Sequence, residues 1–253
     1  MRVSLFATCM VDLFEPEVAV ATVYVLRAAG HRVSVPSGAT CCGQPAWNSG
    51  FAVDAAKVAR ATLDALEADA GDAIVVPAGS CATMIKVFWP EMFEVAGDHD
   101  AAARAKALGE RTHELSAFLA LHGLPPMTPS PEVIAYHHSC HMLRELRVDG
   151  PPQAALAAAA CDIVDWVADR RCCGFGGLFS FKLPETSEAM ADDKLRTLAA
   201  TGCTQLVGSD TSCLAHLRAR AEHEGVVVEV RHLAQVLADR LTPSPPTTSA
   251  SCP

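Results

Sequence analysis

The sequence predicts an α/β fold built from two similar halves, each a small parallel sheet flanked by helices. Three observations carry this: a cysteine frame that occurs twice, strand–turn–helix units that recur around it, and a proline-rich stretch between the copies. Cys-Cys-Gly stands at Cys41-Cys42-Gly43 and again at Cys172-Cys173-Gly174, with Cys9 and Cys140 each 32 residues before the pair. Cys81 and Cys213 close the two frames, 39 and 40 residues after it. Unrelated thiols would not keep register over such distances, so the chain is an internal duplication. Eight of the eleven cysteines belong to the frame.

The elements follow in order. Residues 2–7 read as a buried strand that delivers Cys9 at its C-terminal end, and 15–29 have the spacing of an amphipathic helix stopped by Gly30. A short strand at 32–35 leads through Pro36 and Gly38 to the first cysteine pair, and the Ala-rich stretch 52–68 is helical. Residues 73–76 form a strand, and Pro77-Ala78-Gly79-Ser80-Cys81 turns into a further helix. In the second half, strands at 133–136 and 161–166 lead to Cys140 and the second pair, a helix covers 185–200, and the strand 205–208 delivers Asp210-Thr211-Ser212-Cys213. The ends match as well: residues 113–120 resemble 232–238. An insertion near 90–100 is the main asymmetry. The expected organisation is a first half at 1–123, a Pro-rich linker at 124–131, a second half at 132–241 and a disordered Ser/Thr/Pro tail at 242–253. Parallel sheets place ligands beyond the carboxyl ends of their strands, which is where the framed cysteines fall.

Composition narrows the classes of function. A net charge of −9 with no Lys/Arg run argues against nucleic acid as a partner. The N-terminus lacks a signal-like apolar run, and the longest apolar stretch, 18–29, is interrupted by Arg27 and too short for a bilayer. The chain is therefore expected in the cytoplasm, where clustered thiols more often bind metal than form disulfides. No Walker loop, nucleophile elbow or flavin motif is present, and Gly174-Phe175-Gly176-Gly177 lacks the spacing of a dinucleotide fingerprint.

Four thiols per half suit an iron–sulfur cluster, and glycine-rich turns at Gly43, Gly79, Gly174, Gly176 and Gly177 would let backbone approach the sulfurs. Adjacent cysteines flank a polynuclear cluster more naturally than a tetrahedral zinc site, although four thiolates can also close zinc in a structural or assembly module. A third reading, thiol–disulfide exchange at the vicinal pairs, lacks the usual Cys-X-X-Cys spacing. His137, His138 and His141 flank Cys140 but have no histidine counterparts around Cys9; hydrogen bonding to backbone or to a sulfur suits them better than ligation. Cys161 and Cys203 read as core or near-surface thiols, and Cys252 as an inert tail residue.

The motifs resemble a known family. Val76-Pro77-Ala78-Gly79-Ser80-Cys81, the run from Cys172-Cys173-Gly174-Phe175-Gly176-Gly177 to Glu185, and Asp210-Thr211-Ser212-Cys213-Leu214 are similar to lactate-utilisation protein A. More distantly, the frame resembles the cysteine-rich component of heterodisulfide reductase and the iron–sulfur subunit of glycolate oxidase. The resemblance implies an iron–sulfur subunit of a multi-protein oxidoreductase system that converts L-lactate to pyruvate beside a ferredoxin-like partner. It also implies that Cys9, Cys41, Cys42, Cys81, Cys140, Cys172, Cys173 and Cys213 are the ligands. The heterodisulfide reductase component closes each frame with Cys-X-X-Cys, whereas this chain has Ala78 and Asp210 at the first of those positions. Four thiols remain enough for a [4Fe–4S] cubane. Asp210 is either an oxygen ligand or a cap for the helix that follows it.

Overall fold

The computed structural model describes residues 1–242. Cys252 and the expected tail from 243 onward lie outside the described residues.

Short apolar runs build two four-stranded sheets, parallel throughout. The first contains β1 (Arg2–Leu5), β2 (Arg32–Ser34), β3 (Ala73–Val76) and β4 (Thr112–Glu114), in the order β2-β1-β3-β4. The second contains β5 (Glu132–His137), β6 (Cys161–Ile163), β7 (Gln205–Gly208) and β8 (Glu229–His232), in the order β6-β5-β7-β8. The two orders are the same pattern, as duplication requires. β3 is buried at every position, the unbroken apolar run expected of an inner strand covered on both faces. Its register, Val3 opposite Ala73 and Ile74 opposite Thr112, sends Ala73 and Val75 to one face and Ile74 and Val76 to the other.

Four helices fill the space between the sheets: Pro16–Ala28 and Leu115–His122 from the first half, Gly150–Ala158 and Leu233–Ala238 from the second. Pro16–Ala28 packs on Leu233–Ala238, and Leu115–His122 on Gly150–Ala158. Exchanging the halves exchanges these two contacts, so the duplication carries an approximate two-fold relation. Val25, Leu26, Phe118, Leu156, Leu233 and Val236 join Val3, Val75, Ile134 and Val207 in one core shared by both sheets. Each half keeps a second core on its outer face, around Leu63, Ile74 and Trp89 in the first and Leu195, Leu206 and Leu214 in the second.

Most expected elements are present. The strand expected at 161–166 stops at Ile163, after which the chain turns so that Trp166 can bury its ring and donate from Nε1 to the Tyr136 carbonyl, 3.2 Å away. The expected insertion is helix Trp89–Val95 and the start of His99–Glu110, which cover the outer core of the first half. No described helix is long and apolar enough to cross a membrane.

Candidate metal centre

Each lone cysteine follows a strand end and sits where the chain turns into a helix: Cys9 opens Cys9–Phe14, Cys81 lies in Gly79–Thr83, and Cys213 lies in the first turn of Thr211–Glu224. Cys140 occupies the equivalent turn after β5, just before the π-helical turn Met142–Leu146. The vicinal pairs lie on loops after β2 and β6. The loops are shaped by the glycine that follows them. Gly43 has φ +82° and Gly174 φ +91°, and a Cβ there would lie 2.7 Å from the Ala55 carbonyl oxygen or 2.4 Å from that of Ser187. The same turn points each glycine N–H at a sulfur, Gly43 toward Cys41 at 3.5 Å and Gly174 toward Cys172 at 3.4 Å. Gly174→Ala therefore meets both strain and a backbone clash. It is expected to lower stability by more than the ~1 kcal/mol of a simple glycine-to-alanine strain, with loss of any metal held by the second quartet. Denaturant unfolding and metal analysis of the variant check this.

The sulfurs within each half are close but unbonded. Cys9 and Cys41 are 3.7 Å apart, Cys42 and Cys81 3.3 Å, and Cys173 and Cys213 2.9 Å, all well beyond a disulfide bond of about 2.05 Å. All ten cysteines among the described residues are free thiols. Hydrogen bonds received from Cys42 and Cys9 hold Cys41 down at about 3, and those from Cys140 and Cys173 hold Cys172 at about 2. Cys9 and Cys140 are pushed up as the donors in those pairs, and Cys42 and Cys173 are pushed up by hydrogen bonding within the quartets and by burial. Each quartet thus holds one ready thiolate, the form that ligates metal.

The frame led to the expectation of one site per half. The structure keeps each quartet's sulfurs close and places both quartets around a single cavity of about 310 Å³ at the junction of the halves. The two-fold relation turns the carboxyl ends of both sheets toward each other. Phe175, Leu178, Phe181 and Pro45 give the wall an apolar lining. Soft donors, two amides aimed at sulfur and a largely apolar wall are the surroundings a thiolate-bound cluster requires, so the residues present fit the group.

Asp210 also lines this cavity, but its bonds cross the molecule. Its Oδ2 accepts from the Ser80 N–H of the first half at 2.7 Å, and its Oδ1 accepts from the Ser212 hydroxyl at 2.6 Å. Its side chain accepts from no backbone N–H of its own helix, so the expected cap of Thr211–Glu224 is corrected to a cap of Gly79–Thr83 in the other half. Two further bonds join the same seam: Gly79 N–H donates to the Ser209 carbonyl at 3.1 Å, and His232 Nε2 donates to that of Pro77 at 3.0 Å. Burial keeps His232 neutral down to about 4, and its Nδ1 accepts from Ala234 N–H.

The three histidines separate. His138 pairs with Asp149 at 3.1 Å, and His141 accepts at Nε2 from Gln44 of the first half at 3.3 Å beside the cavity. His137 is fully buried and close to the Cys173 and Cys213 sulfurs, the three ligand atoms lying within 4.8 Å of one another. Cys161 and Cys203 are buried away from the cavity. Gln44 belongs to no motif, and no signal in the sequence marks it as a site residue.

Comparison with known proteins agrees with the duplication. The family model described as "Cysteine-rich domain" matches twice, at residues 3–86 and 134–218. A protein named "Lactate utilization protein A 2" from Bacillus cereus (strain AH820) is 38% identical over 244 residues, 95% of this chain and 99% of that one. "Lactate utilization protein A" from Shouchella clausii (strain KSM-K16) is 41% identical over 240 residues, covering 94% and 98% of the two chains. A crystal structure of a hypothetical protein from Helicobacter pylori superposes with a TM-score of 0.66 at 9% identity, over 96% of this chain and 49% of that one, a likeness of fold alone.

Proposed function

Because the chain belongs to the lactate utilization protein A family, we propose that it is the iron–sulfur electron-transfer subunit of a cytoplasmic system that oxidises L-lactate to pyruvate. The observation that carries this reading is the convergence of all eight framed thiols on one cavity. In it, Cys9, Cys41, Cys42 and Cys81 hold one centre, and Cys140, Cys172, Cys173 and Cys213 the other. Bound there, [4Fe–4S] clusters supply one-electron redox chemistry. The protein's own groups prepare the site. Hydrogen bonds from neighbouring thiols favour the thiolate at Cys41 and Cys172, Gly43 and Gly174 donate N–H to sulfur, and Phe175 and Leu178 add apolar surface to the wall.

Lactate gives up two electrons and the sequence carries no flavin or nicotinamide motif to take them as hydride, so the proposed system needs a second redox component. A ferredoxin-like iron–sulfur protein fills that role. The net charge of −9 favours docking to a more basic partner surface. The purified chain alone is expected not to reduce an artificial acceptor with L-lactate. Turnover should appear on co-expression with the ferredoxin-like partner, and should weaken as salt rises. Lactate-dependent reduction by the chain alone would overturn this reading.

A further inference from the structure

Duplication makes the two quartets comparable position by position, and beneath the sulfurs the halves differ. Three residues before the lone cysteine the first half has Phe6, part of its apolar core, and the second half has His137. His137 is 0% exposed, and neither ring nitrogen has a hydrogen-bond partner. Within its reach are the sulfurs of Cys173 and Cys213, with whatever those sulfurs hold, and the backbone of Asp169.

The second half also buries a cation. Lys194 is 1% exposed, and its ammonium donates to the carbonyls of Ala168, Asp169 and Arg171, the loop that leads into Cys172. It also lies 4.5 Å from the Trp166 ring centroid. Three acceptors occupy three N–H groups, which is the charged form. Burial lowers its affinity for the proton, and the neighbouring Cys173, Cys213, Asp169 and Cys172 work to retain the charge. Lys194 stands seven residues beyond Ser187, whose carbonyl abuts Gly174; the place seven residues beyond Ala55, whose carbonyl abuts Gly43, is Thr62. Thr62 ties the same kind of loop with a hydroxyl, donating to the Cys41 carbonyl at 2.9 Å and accepting from Thr40 N–H at 3.0 Å. One half has a phenyl ring and a hydroxyl where the other has an imidazole and an ammonium.

We infer that the two quartets form electrostatically unequal redox sites, with the second-half centre, backed by His137 and Lys194, having the higher reduction potential. This rests on the iron–sulfur reading. Reduction adds one electron and therefore one negative charge to a centre. A buried cation favours the more negative state, because its field is little screened in a low-dielectric interior. An imidazole N–H given to a sulfur acts in the same direction, as does a histidine that replaces sulfur on iron. Phe6 and Thr62 offer the first-half centre neither a charge nor a sulfur-directed donor.

The test is a mediated dithionite titration of the anaerobically purified full-length protein, followed by electron paramagnetic resonance. Two centres are expected, and the one lost in Cys173→Ser should titrate at higher potential than the one lost in Cys42→Ser. His137→Phe installs the first half's own residue. It should lower the upper potential by at least about 59 mV, a tenfold change in a one-electron equilibrium, and leave the lower one in place. Phe6→His is the reciprocal change and should raise the lower potential. Lys194→Met provides an independent variant and should also lower the upper potential. Iron-loaded protein whose centres titrate together, or whose upper potential does not move in His137→Phe and Lys194→Met, would overturn the inference alone. Protein that binds no iron would overturn the cluster reading and the inference with it.

Discussion

Cys173→Ser is expected to remove the second-half centre and leave the first, so that the purified protein keeps about half its iron, because serine oxygen is a harder and poorer ligand for iron than thiolate. The effect should be large here. Cys173 is 3% exposed, its sulfur lies 2.9 Å from that of Cys213, and the Gly174 turn fixes the loop behind it. Cys42→Ser should do the same to the first half. Cys203→Ala is the control: that thiol is also buried, but it donates to the Gln205 carbonyl at 3.3 Å and faces no part of the cavity. Iron and sulfide per chain, measured anaerobically, read the outcome. Equal iron in Cys173→Ser and Cys203→Ala would mean that the frame is not the site.

Asp210→Ala carries the second large effect, on stability rather than iron. The carboxylate is 1% exposed and accepts from Ser80 N–H and the Ser212 hydroxyl, so removing it orphans an amide in the first turn of a buried helix in the opposite half. Hydrogen bonds to a charged group are worth about 1.5–3 kcal/mol each, which sets the expected loss at about 3 kcal/mol or more. The thermal midpoint should fall by roughly 2–4 °C per kcal/mol for a chain of this size. Asp210→Asn retains an acceptor toward Ser80 and should recover part of the loss. If iron is unchanged, the side chain is a clamp between the halves. If iron is lost while the midpoint holds, Asp210 is a ligand instead.

The two effects show what the sequence could and could not disclose. The spacing of Cys9, Cys41, Cys42 and Cys81 against Cys140, Cys172, Cys173 and Cys213 discloses the duplication and the proposed donors, because a ligand role and close backbone turns constrain residue type. Continuous apolar runs such as Ala73–Val76 mark the inner strands. β4, with Thr112 and Glu114, and β8, with Glu229 and Arg231, are short and polar edge strands whose pairing comes from their neighbours, so no local pattern announces them. The short helix Cys9–Phe14 is hidden for a similar reason: it exposes Leu13 and Phe14, against the usual amphipathic rule. The single shared cavity is not legible at all. It arises from the packing of Pro16–Ala28 on Leu233–Ala238 and of Leu115–His122 on Gly150–Ala158, contacts between residues far apart in the chain. Lys194 is concealed in the helical stretch 185–200, where a lysine reads as a solvent-facing residue.

The central claim is that the eight thiols hold iron–sulfur clusters. Its most direct test is metal and acid-labile sulfide analysis of anaerobically purified full-length protein, with an absorption spectrum before and after dithionite. The expected result is brown protein with iron and sulfide in near-equal amounts and visible absorption that bleaches on reduction. Colourless protein carrying tightly held zinc, with no labile sulfide, would contradict it and make the cavity a structural metal site.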